Sequence, residues 1–188
     1  RGGRAPPPLD LLGDEFKFPR MVDYVAAIEK APPAVNAALL CGHTTLRIGA
    51  MESLDRAATN DEIDVMRDNL AEALDAGAVG MSTGLAYAPA REAPTEEVVR
   101  LAELLGPAGA VYTTHLRDEG NTVFDSLQEA MEFAEQIHVH VQIVHMKLSG
   151  TDNWGGAAKA MDFLATARRG GVPIDCDIYP YTAASNPL

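Results

Sequence analysis

The feature that most narrows the fold of this chain is a regular alternation of short apolar runs with longer amphipathic ones, repeating about every 30 residues, the length of one strand–helix unit. Val35 to Cys41 is an apolar run closed by Gly42, as expected of a strand buried on both faces. Ala78 to Met81, Gly109 to Thr114, Val139 to Val144 and Val172 to Ile178 read as further strands. Helices are expected between them. Thr59 with Glu62 three residues on is a reciprocal capping pair, after which Ile63, Met66, Leu70, Ala73 and Leu74 recur at helical spacing up to Gly77. Pro94 to Leu105, Asn121 to Ile137 and Gly155 to Arg169 carry the other helical patterns.

Strands separated by helices imply a parallel sheet and an α/β fold class. The period fits a partial (β/α) TIM-type barrel of about five units, where a complete barrel has eight, and a doubly wound open sheet shares the same local pattern. The chain starts on Arg1 rather than Met and stops at YPYTAASNPL just after a strand, so both ends are expected to be cut. Residues 1–19, with the Pro-rich Ala5 to Pro8, read as a linker or loop, and residues 20–188 as the central part of the barrel.

Composition removes several classes of partner. With 15 Lys and Arg against 27 Asp and Glu, a formal charge of -12 and no basic stripe, the chain is a poor candidate for nucleic acid. No apolar run reaches the length of a membrane span, and the first residues lack the apolar core of a signal peptide. Cys41 and Cys176 each lie in apolar sequence, which favours buried thiols, a reducing compartment and a cytoplasmic location. Oligomeric state is not legible.

Polar residues collect where the strands are expected to end, the place where barrel enzymes build their sites. These are Ser82, Thr83 and Gly84; His115 with Arg117, Asp118 and Glu119; His145 with Lys147; and Asp177, Tyr179 and Tyr181. His115 and His145 sit at equivalent heights on successive strands, so the pair can share one zinc, although a catalytic zinc usually has three protein ligands. Each histidine is also readable as a hydrogen-bonded core residue. Lys147 falls on the same strand face as His145 and suits a carboxylate, or plain solvation. Tyr87, Tyr179 and Tyr181 fit either an oxyanion contact or packing of the rim. Asp118 and Glu119 have a sufficient explanation in the helix N-terminus that follows them. His43 reads as a strand end that faces the same mouth, while His138 and His140 bracket a strand entry, away from the chemistry. The glycines of GAVGMSTG lack the Gly-Lys-Ser/Thr ending of a phosphate loop.

Five stretches taken together resemble the N-acyl-D-amino-acid deacylases, or D-aminoacylases, of the amidohydrolase superfamily. They are LLCGHTTLR, EALDAGAVGMSTGLAYAP, TTHLRDEGNTVFDSLQEAMEFA, VQIVHMKLSGTDNWGG and DCDIYPYTAAS, in family order from about Asn36 onward. The resemblance implies a metal-dependent hydrolase barrel in which His115 and His145 occupy the places of two zinc-binding histidines. It implies that Tyr87, Lys147 and Tyr179 grip the substrate's α-carboxylate. An upstream H-x-H, a cysteine in a Gly-Asn-Cys-Gly context and a general-base aspartate have no counterpart here; the first two are expected before Arg1 and the aspartate beyond Leu188. Met146 stands where family members often carry a second histidine. The implied reaction is zinc-dependent hydrolysis of an N-acyl-D-amino acid to a carboxylate and a free D-amino acid, with no catalytic base inside this fragment, which by itself is expected to be inactive. The alternative of a different class is a degenerate barrel or a non-catalytic α/β domain that binds a small anion.

Overall fold

In a computed structural model of the chain, which describes residues 18–181, five strands form one parallel sheet in the order β1-β2-β3-β4-β5. The strands are β1 (Leu40–Gly42), β2 (Gly80–Gly84), β3 (Val111–His115), β4 (Val141–Ile143) and β5 (Ile174–Cys176). The eight α-helices among the described residues are α1 (Met21–Lys30), α2 (His43–Ala50), α3 (Asn60–Asp75), α4 (Ala88–Arg91), α5 (Thr95–Ala102), α6 (Leu105–Ala108), α7 (Val123–Ile137) and α8 (Ala157–Arg169). Most of the expected linker, including Ala5 to Pro8, lies outside the described residues.

The strand order carries topological information. A doubly wound sheet reverses its strand order at a switch point, whereas this sheet adds each new strand beside the last without reversal. The register places Met81, Tyr112, Val141 and Ile174 in one row, all buried, and Ser82, Thr113, Gln142 and Asp175 in the next, all partly exposed. Because side chains alternate across a strand, these rows belong to opposite faces of the sheet. The core therefore lies on one face, where Met66, Leu70, Leu101, Leu127 and Leu164 from the helices meet the strands. The other face stays open among the described residues.

Local chemistry explains the boundaries. The Thr59 hydroxyl accepts from the Glu62 N–H while the Glu62 carboxylate accepts from the Thr59 N–H, closing the capping box that starts α3. Gly80 is needed where β2 meets β3, since a Cβ there would drive into the Val111 carbonyl. The expected helix from Pro94 to Leu105 breaks into α5 and α6, and Pro107 sits in the short first turn of α6, where its missing N–H costs little.

The expected strand from Val35 to Cys41 forms only at its end. Val35 is 75% exposed, and pairing begins where Leu40 meets Gly80. A parallel strand exists only where a neighbour offers a ladder, and β2 supplies none upstream of the bond from Val79 N–H to the Leu39 carbonyl. No helix is long and apolar enough to cross a membrane among the described residues.

Candidate metal centre

The C-terminal ends of β3 and β4 bring His115 and His145 together. His115 is the last residue of β3, and its side chain lies on the open face of the sheet. His145 lies two residues past β4 in a left-handed backbone conformation, φ 42°, which non-glycine residues adopt uncommonly. Asp177, just beyond β5, stabilises that turn: its carboxylate accepts from the His145 N–H at 2.6 Å and its carbonyl from the Met146 N–H at 2.9 Å.

The imidazoles meet edge to face, ring centroids 4.5 Å apart, with His115 Nδ1 2.9 Å from His145 Nε2. Two nitrogens that each bind one zinc at about 2.0 to 2.1 Å with tetrahedral angles stand roughly 3.3 Å apart, so this spacing is close to that of a shared ion. Burial lowers the His115 pKa, Glu119 opposes the shift, and His145 and Lys147 add to it. A neutral imidazole is the form a metal binds.

Glu119 completes the cluster, and its place was not legible from the sequence. Its carboxylate lies 3.7 Å from His115 Nε2 and 3.2 Å from His145 Nδ1, and the Lys147 ammonium donates to it at 2.6 Å. His115, Glu119 and His145 each offer a ligand-type atom within 4.8 Å of the others. Asp118, by contrast, is structural: its carboxylate accepts from the Gly120 and Thr122 N–H groups and shapes the turn before α7.

The other expected site residues surround this pair. The Tyr87 ring lies 4.9 Å from that of His115, Tyr179 lies 6.4 Å from His145, and the Lys147 ammonium stands 5.6 Å over the Tyr179 ring. Tyr181 stacks on Tyr179 at the exposed rim. Gly84 makes room for Tyr87, since a Cβ there would come within 2.7 Å of the tyrosine ring. Two arginines hold the segment that carries Tyr87. Arg47 Nε donates to the Pro89 carbonyl at 2.8 Å, and Arg117 donates to the Arg91 and Ala93 carbonyls at 3.1 Å while forking onto Glu129.

His43 does not end a strand or face the mouth. It opens α2 and is fully buried, with its Nε2 2.9 Å from Glu97 Oε1 beside Arg47. The turn from β1 into α2 takes no loop, so the residue after Gly42 swings into the core. Cys41 is a free buried thiol, and burial, helped by Glu72, pushes its pKa up to about 11. A thiol so reluctant to ionise is a poor metal ligand. His140 lies 3.7 Å from Asp175, at the opposite end of β4 from His145, and His138 caps α7.

No protein-family model matches the chain. It is 42% identical over 187 residues to a D-aminoacylase of Alcaligenes xylosoxydans xylosoxydans, which takes in 97% of this chain and 38% of that protein. A crystal structure of D-aminoacylase, described as defining a novel subset of amidohydrolases, superposes with a TM-score of 0.90 at 41% identity over 95% of this chain and 38% of that one. The N-acyl-D-glutamate deacylase of Bordetella bronchiseptica, solved with zinc and a phosphonate mimic of the tetrahedral intermediate, superposes with a TM-score of 0.88 at 35% identity over 95% of this chain and 38% of that one. The chain thus spans about 38% of the length of curated relatives it matches, and across that span it is a homologue of the D-aminoacylases.

Proposed function

We propose, on the premise of that homology to amidohydrolases of the D-aminoacylase kind, that residues 20–188 form the central part of a (β/α) barrel that hydrolyses N-acyl-D-amino acids to a carboxylate and a free D-amino acid. The observation that carries this reading is the convergence of His115 Nδ1 and His145 Nε2, 2.9 Å apart on neighbouring strand ends. Sequential strand order and an open second face, which further strands would cover, support the barrel.

The donor set fits zinc, which prefers neutral imidazole and leaves a position open when the site is catalytic. His115 and His145 would hold the ion, with a further ligand from elsewhere in the enzyme. When bound, zinc would supply Lewis-acid activation of a water and of the amide carbonyl. Lys147, its ammonium 2.9 Å from His145 Nδ1, pairs with the substrate's α-carboxylate at the edge of the pair. Tyr179, under the Lys147 ammonium, and Tyr87, against His115, bound the same space and add hydroxyl donors for that carboxylate. As the resemblance to the deacylases implies, an aspartate from outside this stretch would take and return the proton; within it, Glu119 is paired with Lys147 and Asp177 accepts from the His145 N–H. The two free thiols fit a reducing compartment, and we place the enzyme in the cytoplasm.

The test is an assay of the complete enzyme with zinc on paired N-acyl-D- and N-acyl-L-amino acids. Release of the D-amino acids, lost on chelation and restored by zinc, is the expected result. Turnover that is indifferent to chelation, or absent from every N-acyl-D-amino acid, overturns the reading.

A further inference from the structure

We infer that Asp177 is a positioning residue for the metal pair: its carboxylate holds the His145 backbone in the left-handed turn that aims the imidazole at His115, so Asp177 governs zinc affinity without touching the ion. The inference rests on the reading of His115 and His145 as metal ligands. The sequence marks Asp177 only as a polar residue at a strand end, and the proposed reaction leaves it without a part.

A side chain on left-handed backbone crowds its own chain, so a non-glycine residue stays there only where its surroundings dictate it. His145, at φ 42°, is such a residue. β4 ends at Ile143, and the N–H groups that follow need acceptors. The Val144 N–H reaches the Thr114 carbonyl on the β3 side at 3.0 Å. The next two both turn to the other side and to a single residue: the His145 N–H donates to Asp177 Oδ1 at 2.6 Å, and the Met146 N–H to the Asp177 carbonyl at 2.9 Å. Successive N–H groups aimed the same way form a concavity suited to an anionic oxygen.

The acceptor is itself fixed. The Asp177 N–H donates to the Ile143 carbonyl at 3.0 Å, continuing the β4–β5 ladder, and Gln142 Nε2 donates to Oδ2 at 3.1 Å. Both carboxylate oxygens are thus held by the strand whose end they shape, and an N–H bond to a charged oxygen is stronger than a neutral one. Without the carboxylate the His145 N–H loses its acceptor and the turn is released toward extended backbone. That would carry His145 Nε2 away from His115 Nδ1, which it now faces at 2.9 Å. Bonds to zinc near 2 Å tolerate little such movement.

The experiment compares wild type, Asp177→Asn, Asp177→Ala and His145→Ala in the complete enzyme. Zinc affinity is measured by competition with a chromophoric chelator, folding by chemical denaturation, and the turn by hydrogen exchange at the His145 amide. Asp177→Asn keeps an oxygen for the His145 N–H, and Gln142 can turn its amide to match, so zinc affinity should stay close to wild type. Asp177→Ala should bind zinc at least about 10-fold more weakly, the usual cost of losing a group that orients a ligand, with faster exchange at the His145 amide. Undiminished affinity in folded Asp177→Ala overturns the inference. So does Asp177→Asn as weak as Asp177→Ala, which would make Asp177 a ligand or a charge acting on the ion rather than an acceptor for the turn. If Asp177→Ala does not fold, the other proteins still decide: an unprotected His145 amide in wild type, or loss of zinc in Asp177→Asn, overturns it. Zinc affinity that His145→Ala leaves intact overturns the metal-centre reading and the inference with it, whereas affinity lost in His145→Ala but kept in Asp177→Ala overturns the inference alone.

Discussion

Two clusters in this molecule are built from the same parts, histidine, glutamate and a basic side chain, and they come to opposite ends. In the buried one, His43 and Arg47 have no exposed surface and Glu97 is 1% exposed. Glu97 accepts from His43 Nε2, from Arg47 and from the Ala58 N–H, and the rest of the Arg47 guanidinium donates to the carbonyls of Pro89, Leu54 and Arg56. Almost every donor is spent on a fixed acceptor; His43 Nδ1 is the one buried side-chain atom without a partner among the described residues. In the outer cluster the residues are partly exposed, and two imidazole nitrogens are turned toward each other. Residue type does not separate scaffold from site here. Burial and the facing of two ring nitrogens do.

If that distinction holds, substitutions in the two clusters should move different observables. Arg47→Met leaves Glu97 charged and buried without its main partner, which should cost about 3–5 kcal/mol of unfolding free energy. Chemical denaturation checks this, and zinc affinity of the folded fraction should stay near wild type. His145→Ala should do the reverse: turnover falls on the order of 10³-fold, since metal activation is worth several kcal/mol, while the denaturation midpoint barely shifts. A large loss of stability in His145→Ala would erase the contrast.

Acid should also tell the clusters apart. Burial pushes the Glu97 carboxyl up, but hydrogen bonds from His43, Arg47 and the Ala58 N–H outweigh it and hold the group at about 2, against an ordinary value of 4.5. A depressed carboxyl stabilises the fold above its ordinary pKa, and that contribution is lost as the pH falls from about 4.5 through about 2. Thermal unfolding between pH 5 and pH 2, roughly that window, should decline less steeply in Glu97→Gln, which has nothing there to protonate. Equal slopes would remove Glu97 from the account.

The smallest effect is expected where scaffold and site touch. Arg117→Lys keeps the charge but loses the fork onto Glu129 and the bonds to the Arg91 and Ala93 carbonyls. It should cost about 1–2 kcal/mol of stability, with faster amide exchange confined to the segment around Tyr87. Exchange spread over the whole sheet would show that Arg117 supports the fold generally.

Much of this is legible in the sequence. Capping at Thr59, the period of the strand–helix units and the strand-end positions of His115 and His145 are local signals, and local signals survive folding. The mouth of the sheet was readable for the same reason: Lys147, Tyr87 and Tyr179 follow directly from strand ends. What was missed depended on partners. Val35 to Leu39 has the composition of a strand but no ladder to join. His43 follows an apolar run just as His115 does, yet α2 begins at once and carries it inward to Glu97. Glu119 looked sufficiently explained by the helix after it, because nothing in its neighbourhood of sequence reveals a turn that brings it back to two rings.

The most direct measurement is anomalous diffraction at the zinc edge from crystals of the complete zinc-loaded enzyme. The account predicts a peak about 2.0–2.1 Å from both His115 Nδ1 and His145 Nε2. A zinc bound away from these two histidines would contradict it.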